Sequence, residues 1–269
     1  MSRHFRNNPL VTQTMALLVI SLMLGSCLLM VKGLSPTGSL IADKYSIPYQ
    51  ADLIVEVPGA DTRYRTGTLI SCNYVLTAAN CVDGSSKITV IMGVYNVEDK
   101  NEPTRRTYLG DAYTAHPWYN GSEGYHDIAV IHLNESAEIN AYIKPVTLPH
   151  HPCTHLFGKQ ARVSGWGNVV ANTPWEYSVL RYAYVTIGSH ANCHPQFPQV
   201  TSAQMCPVPT EVFFHISDIG APLVFKGVQI GIAAATSFTN GIESHPQVYT
   251  MVDRYLPWIK NNTDVKIGH

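Results

Sequence analysis

The sequence predicts an all-β domain closed by one terminal helix, and three observations carry this reading. Short runs of β-branched, aromatic and aliphatic residues recur between turn residues along most of the chain. Glycine, proline and tyrosine are plentiful, at 19, 17 and 15 residues, as a chain with many turns requires. Only the C-terminal end carries a good apolar pattern of helical period.

The N-terminus is set apart from the domain. Arg3 and Arg6 precede the apolar run "MALLVISLMLGSCLLMV" from Met15 to Val31. A charged n-region before an apolar h-region reads as a secretory signal peptide, residues 1–33, with cleavage after Cys27 or Gly33. The alternative is an uncleaved anchor, against which the run falls just short of the roughly 18 to 20 apolar residues a span prefers. Either way residues 34–269 lie outside the cytosol, and they fit the length of a single all-β barrel or sandwich domain.

Within that domain the strand candidates, in order, are "ADLIVEV" (51–57), "YVLTA" (74–78), "ITVIMGV" (88–94), "IAVIHL" (128–133), "LRYAYVTI" (180–187) and "VQIGIAAAT" (228–236). "LRYAYVTI" alternates, so one face is buried, whereas "IAVIHL" is continuous and reads as buried on both faces. The helix is expected over 252–261, where Tyr255, Trp258 and Ile259 share one face. No internal repeat, low-complexity tract or Gly/Ser-rich linker interrupts the domain.

Hydrophobic residues make up 45% of the chain and charged residues 14%, a globular balance. The net charge of −1 argues against a nucleic-acid or membrane-surface footprint built on positive charge. Asn120-Gly-Ser, Asn134-Glu-Ser and Asn261-Asn-Thr are glycosylation sequons, in keeping with secretion. Of six cysteines, removal of Cys27 with the leader leaves an odd number. A free thiol or an intermolecular bridge, hence a disulfide-linked dimer, is the expected outlet.

Six segments in order carry a family resemblance. "PYQADL" (48–53), "VLTAANC" (75–81), "HDIAVIHL" (126–133), "VSGWGN" (163–168), "SDIGAPLV" (217–224) and "PQVYTMV" (246–252) resemble the trypsin/chymotrypsin serine endopeptidases over nearly the whole domain. The resemblance implies two packed six-stranded antiparallel β-barrels, about 34–147 and 148–250, with a cleft between them. It also implies a triad of histidine in T-A-A-H-C, aspartate in D-I-A and serine in G-D-S-G-G-P. Those positions hold Asn80, Asp127 and Ile219. Asparagine has no group that accepts a proton near neutrality, and isoleucine has no nucleophilic atom.

Other matched positions depart as well. Ser217 stands where the family has an oxyanion glycine, whose N–H acts together with that of the nucleophile. Ala234, Ala235 and Thr236 replace the substrate-pairing S-W-G, and Thr236 puts a side chain where a bare glycine keeps the specificity pocket open. Phe213 falls near the pocket floor. The activation tetrapeptide aligns with "PTGS" (36–39) after Ser35, with no trypsin-like cut site. The latch aspartate, Asp218, therefore lacks its usual cationic partner and must be solvated or paired otherwise.

The resemblance pairs Cys193 with Cys206. Cys81 would normally bridge to a position just before "GTLI", which is Arg65; Cys72 is an alternative partner, and at least one of Cys72, Cys81 and Cys153 is expected to stay unpaired. Ala161 and His215 occupy two further family cysteine positions.

Asp127 is expected to be structural, its carboxylate accepting backbone or Asn80 amide hydrogen bonds. "HHPCTH" (150–155) places His150, His151, Cys153 and His155 close together, but a loop after Leu-Pro offers no fixed convergence, so no metal is expected, nor any cofactor. "GWG" (165–167) and Ala233–Ala235 are scaffold, and "GIESH" (241–245) is a variable loop at the cleft rim. The sequence thus points to a secreted, non-catalytic serine protease homologue. As the resemblance implies, such proteins bind an extracellular partner, an active protease or its inhibitor, in immunity or reproduction. Two alternatives stand beside it: an active endopeptidase with an unorthodox nucleophile such as Ser217, and a tethered form that keeps residues 15–31.

Overall fold

A computed structural model describes residues 39–167, 179–193, 197, 200–208, 216–239 and 242–267, without the side chains of 235–239 and 242–246. The expected leader, residues 1–33, together with residues 36–38, Phe213 and His215, lies outside the described residues.

Alternating burial builds the first half. In β2 (Gln50–Glu56), Ala51, Leu53 and Val55 point inward while Asp52, Ile54 and Glu56 are only partly covered, the period-2 pattern of a pleated strand. β3 (Arg63–Leu69), β4 (Tyr74–Thr77), β5 (Lys87–Met92), β6 (Arg106–Ala115) and β7 (Ala129–Leu133) join it. They close into a ring in the order β2-β3-β4-β7-β6-β5, antiparallel throughout. Four of the five residues in β7 are buried, as its continuous apolar run requires. Closure leaves this barrel no edge strand.

The second half is a seven-stranded antiparallel sheet. It comprises β1 (Leu40–Ile41), β8 (Gln160–Gly165), β9 (Arg181–Thr186), β10 (Gln204–Met205), β11 (Pro222–Phe225), β12 (Val228–Thr239) and β13 (Ile242–Met251). Its order is β1-β9-β8-β11-β12-β13-β10. Six strands in a closed barrel were expected. The seventh is β1, from the start of the domain: Leu40 pairs with Tyr182 and Ile41 with Arg181. No ladder joins β1 to β10 among the described residues, and both edges are two-residue strands, too short to zip a ring shut. Residues 242–245, expected as a loop, instead continue β13 opposite Ser237, Phe238 and Thr239.

One hydrophobic core runs through both sheets. Polar contacts stitch the seam: Gln50 Nε2 donates to the Ser164 carbonyl and Ser164 Oγ donates to Gln50 Oε1, both at 2.8 Å and both buried. The chain ends in a 3₁₀ turn (Val252–Tyr255) and a helix, Leu256–Asn262, with proline in its first turn, where the missing N–H costs nothing. Tyr255 and Ile259 are buried and Trp258 packs partly buried against the core, the face expected from the sequence.

Two of the glycines that space requires lie in or against the turn around Ile219. A Cβ on Gly165 would run into the carboxylate of Asp218, and one on Gly220 into the carbonyl oxygen of Thr66. Gly220 also has φ of +92°, a region side chains rarely enter. Gly220→Ala is therefore expected to lower unfolding free energy by about 3 kcal/mol or more. Urea denaturation would read this directly, and a loss below about 1 kcal/mol would show that the turn relaxes freely.

Candidate active-site cleft

Asn80 sits in the one-turn helix α1 (Ala79–Val82), which follows β4 directly. Its backbone N–H donates to Asp127 Oδ1 at 2.8 Å. Its side-chain Nδ2 donates to Asp127 Oδ2, and also to the Ala234 carbonyl at 2.9 Å. One residue thus serves both carboxylate oxygens, and the expected Asn80–Asp127 pairing is present. Asp127 precedes β7, and its carbonyl accepts from Thr250 Oγ1 of β13 at 3.0 Å. The acid is therefore tied to both halves of the molecule.

Burial pushes the Asp127 carboxyl from its ordinary 3.8 up to about 7, although the Asn80 donors and the Ala79 backbone pull it down and Asp83 adds a smaller upward push. Desolvation wins because the residue is only 2% exposed.

Ile219 is buried by its side chain and committed along its main chain. Its carbonyl accepts from Thr66 N at 3.0 Å and from Cys81 Sγ at 3.3 Å. Its N–H donates to the Ile216 carbonyl at 3.3 Å, across a 3₁₀ turn over Ile216–Asp218. The N–H that the family aims at a developing oxyanion is here already used. Ser217 is 5% exposed and its carbonyl accepts from Thr66 Oγ1 at 3.1 Å. Neither position presents an exposed nucleophile.

Asp218 is paired rather than solvated: its Oδ1 accepts the Gly167 N–H at 2.8 Å. The "GWG" segment supplies this donor, and the bareness of Gly165 makes room for the carboxylate. Burial raises the Tyr249 phenol, and the charge of Asp218 raises it further.

On β12, Ala235 pairs with Val248 and Thr236 with Gln247; the side chains of Ala235 and Thr236 lie outside the described residues. The sequence reading assigned Gln247 no role. Its amide is fully buried and neither polar atom finds a partner among the described residues. Nothing in the motif "PQVYTMV" marks that position.

A cavity of about 230 Å³ opens over Asn80, Asp127 and Ala234, walled by Tyr119, Ser122 and Glu123. The wall residues were also missed, since the segment preceding Asp127 carries no motif beyond its sequon. Asn120, Asn134 and Asn261 are exposed. Asn120 Oδ1 accepts from both the N–H and Oγ of Ser122, at 3.0 and 2.7 Å.

Cys193 and Cys206 form a disulfide. Cys72, Cys81 and Cys153 are all unbridged, so the alternative Cys72–Cys81 pair is not made. Cys81 is sealed in α1 against Ile219, its thiol pushed up to about 12 by burial. Cys72 is only half-buried and lines a separate cavity with His150. Near it, His155 Nδ1 lies 2.9 Å from the Pro152 carbonyl, within a 3₁₀ turn.

The sequence profile of the family described as Trypsin matches residues 38–259. This chain belongs to the trypsin family. Among its relatives, the chymotrypsin of Phaedon cochleariae is 33% identical over 230 residues, covering 82% of this chain and 79% of that one. The brachyurin of Leptuca pugilator is 31% identical over 229 residues, covering 85% and 98%. A solved GrC structure superposes with a TM-score of 0.76 at 28% identity, covering 84% of this chain and 98% of the other. The HL collagenase structure shares the fold at a TM-score of 0.75 and 24% identity, covering 85% and 98%. The trypsin-family fold thus holds here, with Asn80 in α1 and Ile219 in the turn before β11.

The raised Asp127 carboxyl makes stability depend on pH. Between 3.8 and about 7 the folded chain keeps a proton that the unfolded chain gives up. This contribution is therefore complete at the acid end and is lost as pH rises toward 7. Asp127→Asn keeps an acceptor for the Asn80 N–H but cannot ionise. The fall in Tm between about pH 5 and about pH 8 is expected to shrink in this variant, by about 2–4 °C per kcal/mol of linkage removed. An unchanged pH profile would place the linkage elsewhere.

Proposed function

We propose that this protein is a secreted, catalytically inactive trypsin-family homologue that acts by binding another extracellular protein, an active protease or a protease inhibitor. The observation that carries this reading is the fixed Asn80–Asp127 pair. Both Asn80 amide hydrogens are spent, on Asp127 and Ala234, and an amide accepts no proton at neutral pH. Three further features agree. Ile219 offers no nucleophile, its N–H is engaged with Ile216, and Asp218 has a backbone donor in Gly167 in place of a new N-terminal amine. The leader 1–33 and the exposed sequons support secretion, and no helix among the described residues is long and apolar enough to cross a membrane. A trypsin fold that keeps its cleft cavity retains a shape that proteases and their inhibitors can recognise.

The competing reading, hydrolysis through Ser217, meets two obstacles. Ser217 is buried, and the residue at the base position does not titrate.

The test is hydrolysis of a broad peptide library together with labelling by a serine-directed fluorophosphonate. Wild-type protein is expected to show neither, and robust labelling would overturn the reading. The double substitution Asn80→His and Ile219→Ser is expected to recover almost no turnover. A lost oxyanion donor alone costs about a hundredfold to a thousandfold, and the pocket and activation positions stay altered. Strong turnover by the double variant would show that the cleft had remained enzyme-like around the two substitutions.

A further inference from the structure

The segment from His116 to His126 leaves β6, forms one wall of the cleft and returns to Asp127. Its two ends fold onto each other. The His116 and His126 rings stack with centroids 4.8 Å apart and planes 14° from parallel. Tyr255 stands edge-on to both, at 5.3 and 5.9 Å. Trp118 does the same at 5.7 and 5.6 Å, and Trp258 leans on His116 at 5.5 Å. The stacked pair is thus boxed between the cleft wall and the C-terminal turn and helix. His126 holds φ of 51°, a left-handed conformation that few residues with side chains adopt.

The two rings are held by different bonds. The Trp118 backbone N–H donates to His116 Nδ1 at 3.3 Å, whereas His126 Nδ1 meets the Tyr255 hydroxyl at 3.1 Å. A hydroxyl can donate or accept, so His126 can take a proton and keep its partner, with Nδ1–H now donating to the phenol oxygen. A backbone N–H can only donate. A proton on His116 Nδ1 therefore sets two N–H groups head to head and breaks that bond. With both rings protonated, two cations also face each other across the stack.

We propose that the His116–His126 stack is an acid-sensitive latch on the cleft wall. With both rings neutral, or only His126 charged, it pins residues 116–126 to the terminal helix. A second proton, on His116, releases the segment. Burial, then the neighbouring His126, holds His116 below its ordinary 6.5. The closed form accordingly binds fewer protons than the open form in the window below that value, so acid favours opening.

The surrounding charges do not cancel this effect. Asp127 follows His126, but its carboxyl is already taking up a proton as pH falls through about 7, so it supplies little counter-charge in acid. Tyr119 and Tyr255 are phenols that burial keeps neutral, with Asp127 acting on both and Asp83 and Arg63 acting more weakly on Tyr119. On the terminal turn and helix, Arg254 and Lys260 are exposed, and Arg254 lies beside Asp253 at 3.9 Å. Release reaches the cleft because Tyr119, Ser122, Glu123 and Gly124 line its cavity, and Gln204 Nε2 holds the Gly124 carbonyl at 3.1 Å. The latch is independent of whether the cleft hydrolyses anything.

The test uses the full secreted chain, following both histidine rings by NMR and amide hydrogen exchange over 116–126, from about pH 7.5 to about pH 5, where imidazoles change charge. His116 is expected to take up its proton below its ordinary 6.5, together with loss of its bond from the Trp118 N–H. After correction for the chemical rate, amides of the segment should exchange at least about tenfold faster at the acid end, the factor carried by one pH unit of differential proton affinity. His116→Asn, whose side-chain oxygen can still accept from Trp118, should abolish the acceleration, while Asp127→Asn should retain it. Unchanged exchange in the wild type, or equal acceleration in His116→Asn, would overturn the latch. Should His116→Asn fail to fold, the wild-type titration decides: proton uptake by His116 at or above its ordinary 6.5, with its bond from the Trp118 N–H kept, would also overturn it.

Discussion

A carboxylate at the base of a buried seam must be given donors or be expelled, and the arrangement around Asp127 follows from that demand. The backbone and side chain of Asn80 converge on its two oxygens, which fixes how α1 leaves β4. Thr250 of the second sheet grips the Asp127 carbonyl, so the strand that follows is registered against both halves. Removing one member of such a buried set costs more than the net worth of any one bond, because the survivor stays desolvated. Asparagine meets this demand as a donor, and it does so without proton chemistry. The position is satisfied structurally by one side chain.

The turn at Ile219 is likewise committed to packing. Its side chain is buried, its carbonyl joins Thr66 and Cys81, and its N–H closes the 3₁₀ turn. Asp218 is drawn onto Gly167, in a space that exists only because Gly165 has no side chain. Gln247 is the counterexample. A buried amide with no partner costs about 1–3 kcal/mol, and Gln247 has none among the described residues, opposite Thr236 of β12.

The sequence made the central strands legible and the peripheral ones hard to see. β2, β5 and β7 announce themselves because alternation or continuous apolarity reports how many faces are buried. β6 does not: Arg106–Ala115 is mostly exposed or half-exposed and is bent by a register shift between Gly110 and Ala112, so its pattern is blurred. β1 and β10, at two residues each, are too short to carry any period, which hid the seventh strand. At the site, Asn80, Asp127, Ser217, Asp218 and Ile219 were legible because short motifs hold them at fixed spacing. The cleft wall was not, because His116 and His126 are held by contacts with residues more than a hundred positions away. Only the three-dimensional path of the chain brings Tyr255 and Trp258 to them.

The placement of the one disulfide divides the molecule by its response to reductant. Cys193–Cys206 ties a 3₁₀ turn to the strand end at β10, beside β13, whereas the closed six-stranded barrel contains only unbridged thiols. The barrel owes its cohesion to closure and packing and is indifferent to the redox state of its surroundings. The second sheet keeps its weakest edge in place by a covalent tie. Transfer into a reducing compartment would therefore fray one margin of the molecule first and leave the Asn80–Asp127 floor standing. Partial digestion under reducing conditions would be expected to begin near β10.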